Sequence, residues 1–362
     1  MKFVVTGGRG FIGSHFVELL LKECDQCNID VVDILDYCVS PKTADLLYDK
    51  SDNTTNTLEI FEEDINYFKF EKEYDYVVNF AAQSHVDRSI ASGDEFLKSN
   101  IHGMYHLLNQ VKEGTRFVQI GTDEVYGSLD SNAEQSKEED NLEPSSVYSS
   151  TKASADLIAL SHNKTHNTDV IVTRCCNNFG PRQYPEKLIP VAVNKLLKNE
   201  KIPVYGDGKN TRQWIYVKDH CQQVYDAMLY GTAGEIYNIA PSYIDADSGI
   251  GGSYISVNTA LQTLRNEVSN IDLIHQIIGL VYNPKYGNGY HPDDYGDHIE
   301  YVTDRKGHDW RYSLNGSKLR SLIEQSRDIQ QELPYLQKTF ASDLEYTIMW
   351  YIKNQDWWEN GY

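Results

Sequence analysis

The sequence predicts an α/β fold: a doubly wound parallel sheet, covered by helices on both faces, with a smaller C-terminal α/β lobe. Two observations carry that expectation. Short β-branched runs alternate with helix-period stretches up to Cys175, and the rhythm changes beyond Asn177. A glycine-rich turn joins the first such run to the first helical stretch.

Taken in order, residues 3–6 are short, apolar and β-branched, as a buried parallel strand should be. Residues 12–22 place Ile12, Phe16, Leu19 and Leu20 at a helical period. Further strands are predicted at 29–33, 58–61, 76–80, 117–120 and 170–173, with helices over 95–111 and 148–166. Beyond them a helix at 188–198, strands at 202–205 and 213–217, and a helix at 217–230 predict the second lobe. Segments 241–253 and 282–297 are rich in Gly, Asp, Tyr and Pro and read as loop insertions. A polar segment at 323–333 precedes an amphipathic terminal helix running to about Ile352. The expected division is a nucleotide domain over 1–176 and a mainly substrate-binding lobe over 177–362, some segments of which return to the first domain.

At 362 residues the chain can bury a large core. Its formal net charge of −20 argues against nucleic acid as a partner, and any phosphate-bearing ligand would need a local cluster of cations. No apolar run approaches the roughly 20 residues that span a bilayer, and the chain enters a strand at Phe3 without a signal-peptide pattern. Neither a membrane nor a nucleic-acid partner is therefore expected. Cys24 and Cys27 form a lone CxxC, while Cys38, Cys175, Cys176 and Cys221 are scattered. Free thiols in a reducing cytoplasm are expected, and no metal site is assigned.

Thr6-Gly7-Gly8-Arg9-Gly10-Phe11-Ile12-Gly13 follows the first strand and opens the first helix. Missing side chains let such a turn approach a pyrophosphate, whose charge then faces the helix N-terminus. Asp33 ends the second strand, twenty residues after Gly13. An acid there accepts from ribose hydroxyls and repels a 2′-phosphate, which predicts NAD rather than NADP on a Rossmann-type sheet. Asp64 and Ile65, past the third strand, are placed to meet the adenine, although a plain strand-ending Asp is as good a reading. Phe80, Ala81 and Ala82 close the fourth strand with small residues where a cofactor could lie flat.

Tyr148 and Lys152 stand one helical turn apart. An ammonium beside a phenol favours the phenolate, which could take a hydroxyl proton while hydride leaves the same carbon. Thr122-Asp123-Glu124 lies at the carboxyl end of the fifth strand, where open α/β sheets bind ligands. Two adjacent carboxyls in a partly buried site should have separated pKa values, one protonated and one ionised, as a dehydration requires. The alternative is that both acids simply cap a turn.

These residues resemble the nucleotide-diphosphoglucose 4,6-dehydratases of the extended short-chain dehydrogenase/reductase family. The match runs through the glycine turn, Ala81-Ala-Gln-Ser-His-Val-Asp-Arg-Ser89, Thr122-Asp-Glu-Val-Tyr-Gly127, Tyr148-Ser-Ser-Thr-Lys152, Asn177-Asn-Phe-Gly-Pro181, Pro185-Glu-Lys-Leu-Ile-Pro190, Tyr205-Gly-Asp-Gly208 with Arg212, and Val302-Thr-Asp-Arg-Lys-Gly-His-Asp309. The resemblance implies a homodimer formed by the 95–111 and 148–166 helices, and a step in deoxysugar (rhamnose-type) biosynthesis. It implies Tyr148 as base for the glucose 4-hydroxyl, supported by Lys152 and Thr122, Glu124 as base at C5, and Asp123 as acid for the 6-hydroxyl. It further implies Ser84, Asn177, Glu186, Lys187, Tyr205, Arg212 and Arg305 along the nucleotide-sugar path. Related epimerases and decarboxylases share the Tyr/Lys pair but usually carry small hydroxyl residues in place of the Asp-Glu couple. Whether the base is thymine or uracil stays open.

Overall fold

The computed structural model describes residues 1–241, 267–282, 295–326 and 339–359. Within them the strands are β1 (Lys2–Thr6), β2 (Asn28–Asp33), β3 (Thr57–Glu62), β4 (Tyr76–Asn79), β5 (Arg116–Thr122), β6 (Asp169–Cys175), β7 (Asn177–Phe179), β8 (Ile202–Tyr205), β9 (Thr211–Tyr216), β10 (Ile236–Ile239), β11 (Glu267–Ser269) and β12 (Ile299–Val302). Seven form one sheet in the order β10-β6-β5-β4-β1-β2-β3. Every pairing in it is parallel, from Phe3 opposite Ile29 to Ile236 opposite Val172. The chain reverses its winding between β1 and β4, and that switch point opens a crevice beyond the carboxyl ends of the strands.

Alternation along the strands feeds two cores. Phe3, Val5, Val31, Val78 and Val118 meet Phe16, Val17 and Leu20 of the helix Phe11–Glu23 on one face. Val4, Val32, Val77, Phe117 and Val170 meet Met104, Leu107, Ala155 and Ala159 on the other. Each such fully buried aliphatic or aromatic side chain stabilises the fold by about 1.5–3 kcal/mol. The first core runs on without a break into the second lobe through Ile189, Val193, Trp214 and Ile274, so both lobes share one packed interior.

The second lobe holds a three-stranded sheet, β11-β9-β7, and a parallel pair, β12 with β8. The helices Leu188–Leu197 and Val217–Tyr230 match expectation closely. β10 returns to the large sheet beside β6. Helices at Lys42–Ser51, Asn270–Val281 and Ser317–Ser326 were not foreseen. The last of these takes in residues 323–326 of the segment read as polar loop, because Leu319 and Ile323 are buried on one helical face. Residues 242–253 and 283–294 of the expected insertions lie outside the described residues.

Expected as one α-helix, 95–111 instead runs as Asp94–Phe96, a π-helical stretch Leu97–Gly103, and Met104–Leu108. Gly103 packs so tightly on Ile65 that a Cβ would meet that side chain at 2.6 Å. The wide turn buries Asn100, whose amide donates to Thr151 Oγ1 and to the Gln83 carbonyl, both at 3.0 Å.

Candidate active site

The glycine turn closes against the end of β4. Gly7 has φ +65°, and a Cβ there would meet Ala81 N at 2.6 Å, so no larger residue fits. A Cβ on Gly13 would strike the Gly7 carbonyl at 2.2 Å. Gly10 caps the following helix without a side chain, which leaves the helix's first-turn N–H groups facing the crevice. Asp33 is buried at the end of β2, and its carboxylate accepts from Arg9 N at 2.8 Å and Ile34 N at 2.9 Å. Burial still wins over those bonds and raises its pKa to about 6. Asp64 takes Lys98 at 3.0 Å as its ion pair. This set fits a dinucleotide: a turn with no room for side chains, a helix N-terminus, and a carboxylate at the second strand's end.

β5 runs on through Gly121 and ends at Thr122, so the strand itself delivers the triplet. Thr122 caps the 3-10 turn Asp123–Tyr126, its Oγ1 accepting from Glu124 N at 3.3 Å. The cap is thus the threonine, and both acids are left for other work. Asp123 is buried, and its carboxyl is pushed up to about 7 by burial first and by the Glu124 charge second. One of its oxygens, Oδ2, has no hydrogen-bond partner. Glu124 is raised by burial too, but Lys187, Arg305 and Arg212 all draw it back toward the ionised form. Adjacent carboxyls are therefore held unequally.

The helix Val147–His166 starts with a capping box between Ser146 and Ser149, which fixes the first turn where Tyr148 stands. Tyr148 and Lys152 are both buried. The sequence suggests that the ammonium lowers the phenol pKa; the structure shows otherwise. Burial and Glu124 hold Tyr148 well above its ordinary value, and the opposing influence is a hydrogen bond with the Thr122 side chain. The Lys152 ammonium turns instead to the Ile120 carbonyl, at 2.5 Å. Burial lowers the Lys152 pKa, and Asp156 one turn further on opposes that drop. Asp156 is fixed by a buried pair with Arg174 at 2.8 Å.

Across the crevice Lys187 donates to the Ser84 carbonyl at 3.0 Å. Arg212 is buried, lies 4.4 Å from the centre of the Tyr312 ring, and gives its terminal nitrogens to the carbonyls of Thr211, Trp310 and Asp309. It acts on the site as a fixed positive charge. Arg305 approaches Asp87 at 4.0 Å. All of the candidate residues, from Gly7, Gly10, Phe11, Ile12 and Gly13 to Asn177, Tyr205 and Arg305, line a single cleft of about 860 Å³. That volume lies within the range of small-molecule sites.

Several cleft residues escaped the sequence reading. Asp36, Gln83, His85 and Arg88 line the cleft beside Ser84, and three of these four stand in the quoted Ala81–Ser89 motif, which was the available signal. His308 stands within the quoted 302–309 motif, and Tyr312 lies just beyond it. Asn100 does not line the cleft but accepts from Gln83 N at 2.8 Å, and it had no sequence signal, because only the π-helical turn brings it there.

A nucleotide-binding α/β sheet whose cleft joins a glycine turn to a phenol, an ammonium and two unequal carboxyls defines a class, the dinucleotide-dependent enzymes that act on hydroxylated substrates. The profile of the NAD dependent epimerase/dehydratase family matches residues 3–240. A dTDP-glucose 4,6-dehydratase of Streptomyces niveus is 36% identical over 99% of this chain and 95% of its own length. Crystal structures of two further dTDP-glucose 4,6-dehydratases superpose with a TM-score of 0.77, each covering 99% of both chains. One is from Streptomyces venezuelae, with NAD bound, at 37% identity; the other is from Bacillus anthracis, in complex with NAD, at 36%. The chain belongs to the NAD dependent epimerase/dehydratase family, on its 4,6-dehydratase branch.

Proposed function

We propose that this protein converts a nucleotide-diphosphate glucose, with dTDP-glucose preferred over UDP-glucose, into its 4-keto-6-deoxy derivative. The observation that carries the reading is the unequal pair Asp123 and Glu124 in the same cleft as Tyr148 and Lys152. Gly7, Gly10 and Gly13, Asp33 and the Phe80–Ala82 strand end would hold NAD. NAD held there would supply the hydride acceptor needed at C4 and the hydride donor needed at C6.

Tyr148 takes the proton of the 4-hydroxyl as the phenolate, a form that the hydrogen bond with the Thr122 side chain favours against burial and the Glu124 charge, while Lys152 lines the same cleft. The C5 proton of glucose is not acidic until C4 is a carbonyl. Glu124, drawn toward its ionised form by Lys187, Arg212 and Arg305, then removes it and can return it to C5 once C6 has been reduced. Asp123 stays protonated up to about pH 7 and delivers its proton to the departing 6-hydroxyl, so that water leaves. The same three cations face the diphosphate within a protein of net charge −20.

The test is to incubate the purified protein with dTDP-glucose and with UDP-glucose and read the alkali-induced chromophore of 4-keto sugars. Formation from neither substrate would end the proposal. We also propose a homodimer through the Asp94–Leu108 region and Val147–His166, where Leu97, Tyr105 and Leu157 are exposed. Light scattering that reports a monomer at micromolar concentration contradicts it. Six cysteines that form no disulfide support a reducing, cytoplasmic setting.

A further inference from the structure

Tyr37 takes no part in the chemistry above, yet it joins three segments that border the cleft. It stands on the connection that leaves β2 at Asp33. Its hydroxyl donates to Glu186 Oε1 at 3.1 Å, across to the segment between β7 and the helix Leu188–Leu197. The Arg88 guanidinium, from the helix Val86–Ala91 after β4, stacks on the Tyr37 ring at 3.8 Å. Tyr184 meets the same ring edge-on at 5.3 Å. Two further ties run alongside: Gln83 Nε2 donates to Asp36 Oδ2 at 2.6 Å, and His85 Nε2 lies 3.7 Å from Glu186 Oε2.

Each of these segments is a connection at the carboxyl edge of a sheet, where chain is ordinarily the most mobile part of a fold. One carries the acid of the nucleotide site. Another carries Glu186 and Lys187 of the sugar side. The phenol between them is half-buried, and burial together with the Glu186 charge keeps it protonated, hence a donor, across the neutral range. An aromatic ring stacked by Arg88, met edge-on by Tyr184 and bonded at its tip to Glu186 is built to hold connections together.

We propose that Tyr37 is a clasp: a positioning residue that ties the nucleotide-side connection to Glu186, so that one side chain slows loss of the dinucleotide and orders the sugar side. The inference rests on the reading of the cleft as an NAD and sugar-nucleotide site. The chemistry explains the need. A cofactor that is returned to its starting state within each cycle has no reason to leave, and a rim that stays closed keeps the enzyme competent.

Tyr37→Phe keeps the ring, the Arg88 stack and the Tyr184 contact, and removes only the hydroxyl. The full chain, loaded with NAD, is passed through successive desalting steps and the retained nucleotide is read by its adenine absorbance. Release from Tyr37→Phe should be about tenfold faster than from the wild type, the change expected on losing one hydroxyl–carboxylate bond. KM for the nucleotide sugar should rise while kcat at saturating NAD stays within about twofold. Glu186→Gln, whose amide oxygen can still accept from the phenol, should release NAD more slowly than Tyr37→Phe. Equal release from Tyr37→Phe and wild type overturns the clasp. So does Glu186→Gln releasing NAD as fast as Tyr37→Phe when both variants melt at the wild-type temperature. A wild-type protein that retains no NAD after loading overturns the cofactor reading instead, and the clasp with it.

Discussion

On the nucleotide side of the cleft the protein works with its backbone; on the sugar side it works with charged side chains from separate segments. Gly7, Gly10 and Gly13 sit within one turn, and their lack of Cβ atoms is the feature that matters. Lys187, Arg212 and Arg305 come from the connection before a helix, from β9 and from the chain beyond β12. A backbone cradle depends on a few glycines, of which Gly7 and Gly13 tolerate no addition. A cluster of charges assembled from distant segments depends on each member separately, so it should weaken stepwise when members are removed.

The largest expected effect lies between the two walls. Tyr148→Phe should lower kcat by about 10²–10⁴-fold, the usual worth of a general base, with NAD content unchanged. If the variant instead lost its cofactor, Tyr148 would belong to the binding wall rather than to the chemistry. A smaller effect is expected at Lys187→Met, which removes one of three cations. KM for the nucleotide sugar should rise about tenfold, as for the loss of a single charge-assisted contact, with NAD retained. Loss of NAD from this variant would show that the two walls are not separate in function.

The mildest probe is pH. The Asp123 carboxyl is raised to about 7, so its protonated fraction falls as pH climbs through that value. An acid that must be protonated to act loses activity on the alkaline side. The kcat/KM profile should therefore fall above about pH 7 with a single-proton slope, and Asp123→Asn should remove that limb along with most of the rate. A profile that keeps rising through pH 8 contradicts the acid role.

The two walls also differ in how much of them the sequence reveals. A glycine turn, its strand and its helix are contiguous, so spacing alone locates Gly7 to Gly13, and Asp33 follows at a fixed distance. Tyr148 and Lys152 are equally local, one helical turn apart. Lys187, Arg212 and Arg305 have no spacing that binds them to one another, and only resemblance picked them out among 33 lysines and arginines. Tyr37 and Asn100 were invisible, since the partners of each are far along the chain. The direction of the Lys152 ammonium was misjudged for a related reason: a helical repeat sets which face a side chain occupies, while the nearest acceptor, the Ile120 carbonyl, lies on a strand. Elements late in the chain, such as β10 of the large sheet and the helix Asn270–Val281 of the second lobe, were missed because their placement is decided by the core they meet.

Glu124→Gln tests the central claim most directly, that the Asp-Glu couple performs an elimination after Tyr148 and Lys152 have opened the way. The amide keeps the side chain's shape but cannot accept the C5 proton. On mixing with nucleotide-diphosphate glucose, near-ultraviolet absorbance should report reduced nicotinamide on the protein, while 4-keto-6-deoxy product falls by about 10²–10⁴-fold. Normal turnover, or equal loss of oxidation and elimination, would remove Glu124 from the C5 role and with it the main support for a dehydratase.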